Sequence, residues 1–529
     1  MKKSQYIDFR TYREKFLSQE KNQVEIQPEA LLSIALVFPN SYAVGMANLG
    51  FQTIYRLFNE FPGVRCERAF LYDQFPGVVK TLESGEELRN FDVVAFSISF
   101  ELDFSNLVQV LIDAGITPFA ADRHEKEPCV IAGGAIAFMN PTPIEPFIDF
   151  FYIGEIEPQS PSFLQILLHF KQERWGRTEV LERLAEKKGI YVPRNFKKKS
   201  IKKVSQSARE NLPQYSPIIS PESHFKNMFL IEVGRGCGRY CYFCAASHIY
   251  HPFRIFSKEK ILDTISSFCH DTNRVGLIGS ALSDYPQLFD LSKELVDQNF
   301  ELGLSSFRLD IINSEFLTIL ERGKVKTLTF APEAGTERLR NQIHKNLSDQ
   351  QIMDAVRAIA DSKIQQVKLY FMIGLPTETE EDIKGIVDLV RTIQQNLAAS
   401  RQKKSITVSV NAFIPKPFTP FQWSPMEMES EIRRKRRYLE REFKKNSGVQ
   451  FTRKSVKDEI LQGIFSLGDQ KIAQGIFHKI KNKVDWQTAW QQTGIDVESI
   501  IHRSKKFEDE LPWDFIAYGI LKERLLKNR

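Results

Sequence analysis

The sequence predicts an α/β protein that begins with a doubly wound domain, continues with a partial strand–helix barrel and ends in a helical region. Two series of buried strands that alternate with amphipathic helices predict the two α/β units. A glycine-rich loop with three cysteines opens the second series. Since 529 residues exceed one ordinary core, we expect domains at residues 1–190, 227–425 and 426–529, with a basic linker at 191–226.

The composition indicates a soluble globular protein, with 42% hydrophobic and 26% charged residues. A net charge of +6 is mild for this length and argues only weakly for a nucleic-acid partner. No apolar run is long enough to span a bilayer, and the first residues lack the apolar core of a signal peptide. Six cysteines, three of them clustered, indicate metal chemistry in a reducing compartment. We therefore expect a cytoplasmic protein without a membrane partner.

The first unit is predicted from strands that alternate with helices, which implies a parallel, doubly wound sheet. Predicted strands lie at 31–38, 92–98, 129–134 and 147–153, and predicted helices at 49–61 and 102–114. Gly133, Gly134 and Gly154 stand at the carboxyl ends of two of these strands, where ligands approach the backbone of such sheets. The alternative is that these glycines only form turns.

The second unit is predicted as a six-unit, (β/α)6 partial barrel. Its predicted strands lie at 228–233, 275–279, 302–307, 327–331, 366–373 and 406–413, and predicted helices at 258–269, 313–322, 348–360 and 380–395. Functional groups of such barrels sit at the carboxyl ends of the strands. The candidate residues at these ends are Gly279, Ser280, Ser305, Arg308, Glu333 and Gly374.

The cysteine loop after the first barrel strand carries the clearest signal. Cys237, Cys241 and Cys244 are separated by three and then two residues. Iron–sulfur clusters are usually held by four thiolates, so three leave one iron open, as in a catalytic metal site. A zinc site completed by His248 or His251, or a group of buried core cysteines, are the alternatives; a disulfide is disfavoured by the short spacings.

With Phe243 before its last cysteine, this loop resembles that of the radical S-adenosylmethionine (SAM) superfamily. The resemblance implies a [4Fe-4S] cluster on the three cysteines and SAM chelated to the fourth iron. Reduction by an external electron donor, such as flavodoxin or ferredoxin, would then cleave SAM to a 5'-deoxyadenosyl radical.

The same resemblance implies where SAM lies. Phe243 is expected beside the adenine, and Gly374 where the adenine passes the backbone. Glu333, Arg308 and Ser305 are expected near the ribose or the aminoacyl group. The family often carries Gly-Gly-Glu where this chain has Gly279-Ser280-Ala281, so recognition of the SAM amino group is expected to differ here.

The first unit resembles a Rossmann-like, cobalamin-binding-type domain. In one radical SAM subgroup, which includes uncharacterised members, such a domain precedes the barrel. The resemblance rests on Gly133-Gly134, Asn140-Pro141, Asp149 and Gly154-Glu155 in that order. It implies a cobalamin site that includes Gly133, Gly134 and Gly154. The Asp-x-His-x-x-Gly loop that supplies a cobalt ligand in other cobalamin domains is missing, and Asp122-Arg-His124 is its nearest match.

Three interpretations of the function remain open at this stage. The first is a radical SAM enzyme that modifies an unactivated carbon by cobalamin-dependent methyl transfer. The second is a radical SAM enzyme without cobalamin, whose first domain serves as a substrate lid. The third is an RNA-binding module whose cysteine loop is a structural metal clip. The sequence names neither the substrate nor a catalytic side chain.

The linker and the tail carry the basic segments. We expect the linker to wrap the surface, with solvated lysines. A helix near 431–445 could contact RNA phosphates, or could be a solvated face with interleaved glutamates. Its cations are Arg433, Arg434, Lys435, Arg436, Arg437, Lys444 and Lys445.

Overall fold

The first sheet belongs to a computed structural model that describes residues 8–195, 200–207, 212–304, 307–398, 402–445, 448–519 and 522–527. Its strands run in the order β2-β1-β3-β4-β5-β6, and all neighbours are parallel except β5 and β6. This order places a topological switch point between β1 and β3, where doubly wound sheets bind ligands. The strands are β1 (Leu32–Ser41), β2 (Val64–Leu71), β3 (Val93–Ser97), β4 (Cys129–Gly133), β5 (Phe150–Tyr152) and β6 (Ile190–Tyr191).

Side-chain hydrogen bonds help to determine where helices around this sheet begin. The third of them, for example, begins after Asn48, whose side chain accepts a hydrogen bond from the Phe51 amide, and it buries Phe51, Tyr55 and Phe58. The predicted alternation of strands and helices is confirmed. The helices are α1 (Phe9–Gln19), α2 (Tyr42–Gly45), α3 (Leu49–Asn59), α4 (Asp103–Asp113), α5 (Ser160–Glu173) and α6 (Arg177–Ala185).

The second unit is an arc of parallel strands in two hydrogen-bonded halves. The order is β7-β8-β9 in one half and β10-β11-β12-β13 in the other, and a parallel bridge between Phe307 and Phe330 links the halves. The strands are β7 (Phe229–Glu232), β8 (Arg274–Ile278), β9 (Glu301–Leu304), β10 (Thr327–Glu333), β11 (Gln366–Ile373), β12 (Ser405–Ala412) and β13 (Val449–Arg453). All six predicted strands are present. The seventh, β13, lies in the region predicted as helical, which therefore also extends the sheet.

The two faces of the barrel strands differ in polarity. Along β11, Val367, Leu369 and Phe371 are buried in the apolar core, whereas the alternate residues, such as Tyr370 and Met372, are more exposed. The apolar face is covered by helices, and the other face lines an open interior. The helices of this unit are α7 (Ala246–Ile249), α8 (Lys258–Phe268), α9 (Leu288–Asp297), α10 (Ser314–Arg322), α11 (Glu337–Gln342), α12 (Asp349–Ala360) and α13 (Glu380–Ala398).

The C-terminal helices pack against both units. Helix α16 lies on α4 of the first unit, and its Phe477 also contacts the ring of Phe119, which follows α4 in the chain. Within the described ranges, no helix is long and apolar enough to cross a membrane. The helices are α14 (Glu429–Lys444), α15 (Val456–Leu467), α16 (Ile472–Asn482), α17 (Trp486–Thr493), α18 (Val497–Ile501) and α19 (Lys522–Lys527).

The described parts of the linker lie only partly on the surface: Lys202 is exposed, as expected, whereas other residues are buried. Val204 pairs with Gly154, and Tyr215 pairs with Ile231 at the edge of β7; Val204 and Tyr215 are both buried. Lys203 donates a hydrogen bond to the Ile249 carbonyl, and burial lowers the pKa of its ammonium to about 8. The buried residues of the linker thus contact both sheets.

Candidate functional site

The carboxyl edges of the two sheets face each other across a cavity of about 440 Å³, which we call the interdomain cavity. Because ligands of α/β sheets bind at these edges, the cavity is the first candidate site. The predicted residues Gly133, Gly134, Gly154, Gly279 and Ser280 all line it, together with Asn48, Thr53, Ser97, Glu232 and Arg235.

Contacts within the protein explain why two of the three predicted residues from the first unit, Gly134 and Gly154, must be glycine, but they do not explain Gly133. A Cβ on Gly134 would lie 2.4 Å from the Ile98 carbonyl oxygen, and one on Gly154 would lie 2.3 Å from the Val204 oxygen. Both glycines also have positive φ angles. A Cβ on Gly133 would meet nothing closer than 3.9 Å. A side chain there would therefore project into the cavity, as expected where a ligand lies against the backbone.

An ion network forms one wall of the interdomain cavity. Arg235 pairs with Glu232 at 2.7 Å, with Glu157 at 2.9 Å and with Glu155 at 3.3 Å, and Arg254 also binds Glu155 at 2.7 Å. Burial acts to raise the pKa of Glu155, but its hydrogen bonds from Arg254 and the charge of Arg235 hold that pKa below the usual value. The network ties the end of β7 to the end of β5.

The cysteine loop lies at the carboxyl end of β7, beside this network. A Cβ on Gly236 would lie 2.6 Å from the Tyr250 carbonyl oxygen, so the tight path of the loop requires glycine there. Cys241 is buried, whereas Cys237 and Cys244 are half-buried. Burial raises the pKa of Cys241 to about 11 and also raises that of Cys244. Metal binding by these thiols must therefore displace protons.

A second loop, residues 343–346, holds the cysteine loop in place, and we call it the latch. The amide of Tyr242 donates to the Ile343 carbonyl, and His344 Nδ1 lies 3.0 Å from the Arg239 carbonyl oxygen. The rings of Tyr242 and His344 stack with centroids 5.0 Å apart and an angle of 3° between their planes. The latch thus fixes the conformation of the cysteine loop from the side of β10.

Arg308 supports the latch. Its guanidinium pairs with Asp310 at 3.0 Å and donates to the carbonyl oxygens of Lys345 and Asn346 at 3.2 and 3.3 Å. These contacts use the hydrogen-bond donors of the Arg308 guanidinium, which the sequence predicted to lie near SAM. In this structure Arg308 positions the latch.

The latch carries Lys345, which sequence reasoning missed. Its ammonium lies 3.3 Å from Glu333, a predicted site residue at the end of β10 that has a φ of +72°. Burial raises the pKa of Glu333, and the neighbouring Lys345 opposes that rise. Lys345 also acts to lower the pKa values of Cys241 and Cys244 against the effect of burial. The structure therefore places one additional cation beside Glu333, close enough to Cys241 and Cys244 to affect their pKa values.

Three further residues were predicted to lie near SAM. Two of them contact other parts of the protein, and the third is not among the described residues. The Gly374 amide donates to Glu378, and a Cβ on Gly374 would lie 2.9 Å from Glu427 Oε2. Phe243 packs with Phe413 in a small apolar cluster. Ser305 lies outside the described residues.

A second cavity of about 380 Å³ lies on the other side of Cys244, and we call it the barrel cavity. Its walls come from the cysteine loop, from the ends of β11 and β12, from the first unit and from α15. Its polar and charged lining residues are Glu101, Asn411, Lys416, Lys454, Glu459 and Gln462, and its apolar ones include Met139, Phe243, Met372 and Phe413, with Cys244 beside them.

The segment 135–139 after β4 separates the two cavities. Ala135 and Phe138 line the interdomain cavity, whereas Ile136 and Met139 line the barrel cavity. One turn of the first unit therefore forms part of the wall of each cavity.

The positions of the side chains do not distinguish the zinc alternative from the iron–sulfur cluster. Among the residues that the structure describes, no three His, Cys, Asp or Glu side chains are grouped as ligands of one metal ion. His248 is buried, and neither ring nitrogen has a hydrogen-bond partner among the described residues. Burial lowers the pKa of this histidine to about 4, so its ring is neutral.

The basic helix α14 is largely neutralised by carboxylates. Arg433 pairs with Glu429, and Arg434 pairs with Glu431. Two further cations predicted to contact phosphates are buried: Lys435 lies against Glu378 and Glu427, and Arg436 against Glu459. Contact with RNA stays a prediction, and it could involve only part of this helix.

Two family models match the chain in the two units described above. The model described as Radical SAM superfamily matches residues 231–390, and that described as Radical SAM proteins, N-terminal, matches residues 50–193. Together they span more than half of the chain, which belongs to the radical SAM superfamily. Membership implies a [4Fe-4S] cluster and SAM as cofactors, and it confirms the resemblance seen in the cysteine loop.

Similar proteins include some of known and some of unknown activity. An uncharacterised protein of Methanocaldococcus jannaschii is 29% identical over 84% of this chain and 90% of its own length. The ribosomal protein uS12 methylthiotransferase of Thermodesulfovibrio yellowstonii is 27% identical, over 31% of this chain and 41% of that enzyme. Among solved structures, the cobalamin-dependent SAM radical enzyme OxsB is 15% identical with a TM-score of 0.48, over 71% of this chain and 53% of that one.

Proposed function

We propose that the protein is a radical SAM enzyme that modifies an unactivated carbon by cobalamin-dependent methyl transfer. The observation that carries this proposal is the interdomain cavity, which lies between the carboxyl edges of both sheets. Gly133 of the first sheet and Gly279 and Ser280 of the barrel line the same space. A cofactor bound by the first unit would thus lie next to the cysteine loop.

In this proposal, Cys237, Cys241 and Cys244 hold the cluster, which would supply the electron that cleaves SAM to the 5'-deoxyadenosyl radical. Glu333 and Lys345 present a carboxylate and an ammonium near the thiols. The amino acid end of SAM carries the complementary ammonium and carboxylate, so this ion pair suits its recognition. Such a pair would replace the glutamate that the family often carries after the second barrel strand.

The residues of the interdomain cavity fit a large cofactor that lies against the backbone. Gly133 leaves room that a side chain would fill, and the buried Thr53 hydroxyl has no hydrogen-bond partner among the described residues. Cobalamin bound there would supply the methyl group. The described lining contains no histidine, and His124 precedes the amino end of β4, at the opposite edge of the sheet. We therefore propose that no histidine of this domain ligates cobalt.

The test is anaerobic reconstitution of the full chain with iron, sulfide, cobalamin and SAM, followed by analysis of the products. The proposal expects 5'-deoxyadenosine and S-adenosylhomocysteine together, because radical formation and methylation of cobalamin each consume SAM. 5'-deoxyadenosine without cobalamin uptake would support the cobalamin-free alternative. Failure to assemble an iron–sulfur cluster would contradict both.

A further inference from the structure

The short helix α7, which follows the cysteine loop directly, carries two polar side chains without hydrogen-bond partners. His248 is only 2% exposed, and neither of its ring nitrogens has a partner among the described residues. The hydroxyl of the preceding residue, Ser247, is buried and without a partner in the same part of the chain. Because a buried polar group without a partner is costly, two in succession indicate a group that the protein itself does not supply.

The same helix begins against one of the three cysteines. Burial raises the pKa of Cys244, and a hydrogen bond from the Ala246 amide opposes that rise, so the thiol lies at the first turn of α7. Helical side chains lean toward the amino end of their helix, and residues four apart share a face. His248 follows Cys244 by four residues. Its ring is therefore on the side of α7 where this thiol lies.

The imidazole ring of His248 also packs against the cysteine loop. It meets the ring of Tyr240 edge-on, with 5.7 Å between the centroids, and Tyr240 lies between Cys237 and Cys241 in the chain. The Tyr240 hydroxyl is 3.0 Å from Nδ1 of His251 and is thus engaged elsewhere. The missing partner of His248 is therefore not this hydroxyl, although the two rings are in contact.

The chemistry of the missing partner follows from the state of the ring. Burial lowers the pKa of His248 to about 4, so the neutral ring has one N–H donor and one acceptor nitrogen. The sulfur atoms of an iron–sulfur cluster accept hydrogen bonds, and these bonds help to set its reduction potential. A donor raises that potential, because reduction adds a negative charge that the hydrogen bond stabilises.

We propose that His248 donates a ring N–H to a sulfur of the [4Fe-4S] cluster and thereby raises the reduction potential of that cluster. The inference rests on the cluster of the proposed function and is independent of cobalamin and of methyl transfer. A cluster with a higher potential accepts an electron from the external donor more readily. His248 is thus a tuning residue for the first electron transfer.

The test is a redox titration of the reconstituted full chain without SAM, in which EPR spectroscopy measures the reduced cluster. His248→Phe keeps an aromatic ring against Tyr240 and removes both nitrogens. It should lower the ratio of reduced to oxidised cluster about tenfold at a given potential, a fall of about 59 mV in the midpoint potential for one electron. His248→Gln retains an N–H donor and should restore most of the wild-type potential.

A second measurement needs no substitution at this position. In wild-type protein that carries a heavy nitrogen isotope only in histidine, pulsed EPR of the reduced cluster should detect coupling to an imidazole nitrogen. The coupling should disappear in His248→Gln, which also serves if His248→Phe fails to fold. The matched control is His502→Phe, because His502 is a half-buried histidine of the C-terminal region whose Nδ1 lies 2.9 Å from the Met426 carbonyl oxygen. It should leave the potential and the coupling unchanged.

Three results would overturn the proposal: an unchanged midpoint potential in His248→Phe, equal shifts in His248→Phe and His502→Phe, or an imidazole coupling that is absent in the wild type or persists in His248→Gln. Iron and sulfide content is measured before each titration. Failure of the wild type to assemble a cluster therefore contradicts the proposed function, whereas an assembled cluster with an unchanged potential contradicts only the role of His248.

Discussion

The two cavities beside the cysteine loop are shaped by different parts of the chain. In the interdomain cavity, glycines and paired charges form the walls, and Gly133 exposes backbone to the space. In the barrel cavity, side chains such as Met372, Phe413 and Asn411 define the shape. A backbone-lined wall suits a large, rigid cofactor, whereas the shape of a side-chain-lined wall depends on the identity of each residue. The two cavities should therefore respond differently to substitution.

The largest effect should come from the loop between the cavities. Replacing Cys237, Cys241 and Cys244 together with alanine should abolish iron and sulfide uptake and the visible absorbance of the reconstituted protein, because no thiolate ligand remains. Both cavities should persist, since their walls come mainly from other elements. Iron and sulfide analysis checks this. Stoichiometric zinc in the wild type, with no iron uptake, would instead establish a structural clip.

Substitutions at Gly133 and at Gly134 distinguish the loss of space for a ligand from the introduction of backbone strain. Gly133→Val should block cobalamin uptake with little loss of stability, because its side chain would project into the interdomain cavity. Gly134→Val should instead destabilise the fold by about 1–3 kcal/mol, since it forces a β-branched residue into a positive φ against the Ile98 backbone. Cobalamin absorbance after gel filtration and urea unfolding measure the two effects.

Uptake of cobalamin by Gly133→Val at the wild-type level would contradict the assignment of this cavity. His124→Ala provides a second control, since His124 lies at the opposite edge of the sheet. It should leave cobalamin binding and the cobalt spectrum unchanged.

Lys345 tests whether SAM is recognised between the latch and Glu333. Lys345→Met should weaken SAM binding about tenfold, the effect of losing one charge-assisted hydrogen bond, while the cluster content stays unchanged. Equilibrium dialysis with labelled SAM against reconstituted protein measures this. Lys416→Met removes one of the two cations that line the barrel cavity and should leave SAM affinity unaltered. A similar loss in both variants would show that the effect is not specific to the latch.

The sequence alone predicted the features whose residues follow one another closely along the chain. The cysteine loop carries its three thiols within eight residues, and the barrel strands show uninterrupted apolar patterns. Strand β11 was predicted with the bounds that the structure shows, Gln366–Ile373. In contrast, β13 is short and half-exposed along its length, so its pattern resembles a loop after the basic helix.

The groups that sequence reasoning missed depend on contacts between distant segments. Lys345 reaches the cysteines only because the latch folds against Tyr242 and Arg239. The reason for glycine at 134 is the Ile98 backbone, which no local pattern reveals. The burial of part of the linker was not predicted because its lysines suggested solvent, whereas Lys203 donates to a carbonyl oxygen in the interior. Tertiary contacts determined each of these outcomes.

The last effect that we predict concerns Asp103, which lies two residues after Glu101 of the barrel cavity and contrasts with the paired acids of the interdomain wall. Burial raises the pKa of its carboxyl to about 6, despite hydrogen bonds from the side chains of Asn40 and Asn106. Because the folded pKa exceeds the unfolded one, the stability linked to its proton is present below about pH 4 and is lost as the pH rises through 6.

Asp103→Asn removes this titration while keeping the size of the side chain. The free energy of unfolding of the variant, relative to the wild type, should therefore increase by about 2 kcal/mol between pH 4 and pH 7 in urea titrations. Glu155→Gln should show the opposite sign, since the pKa of Glu155 is held low by Arg254 and Arg235, and its loss should cost more stability at pH 7 than at pH 4. Equal pH dependence in the two variants would contradict the contrast between the paired acids of the interdomain wall and the buried acid near the barrel cavity.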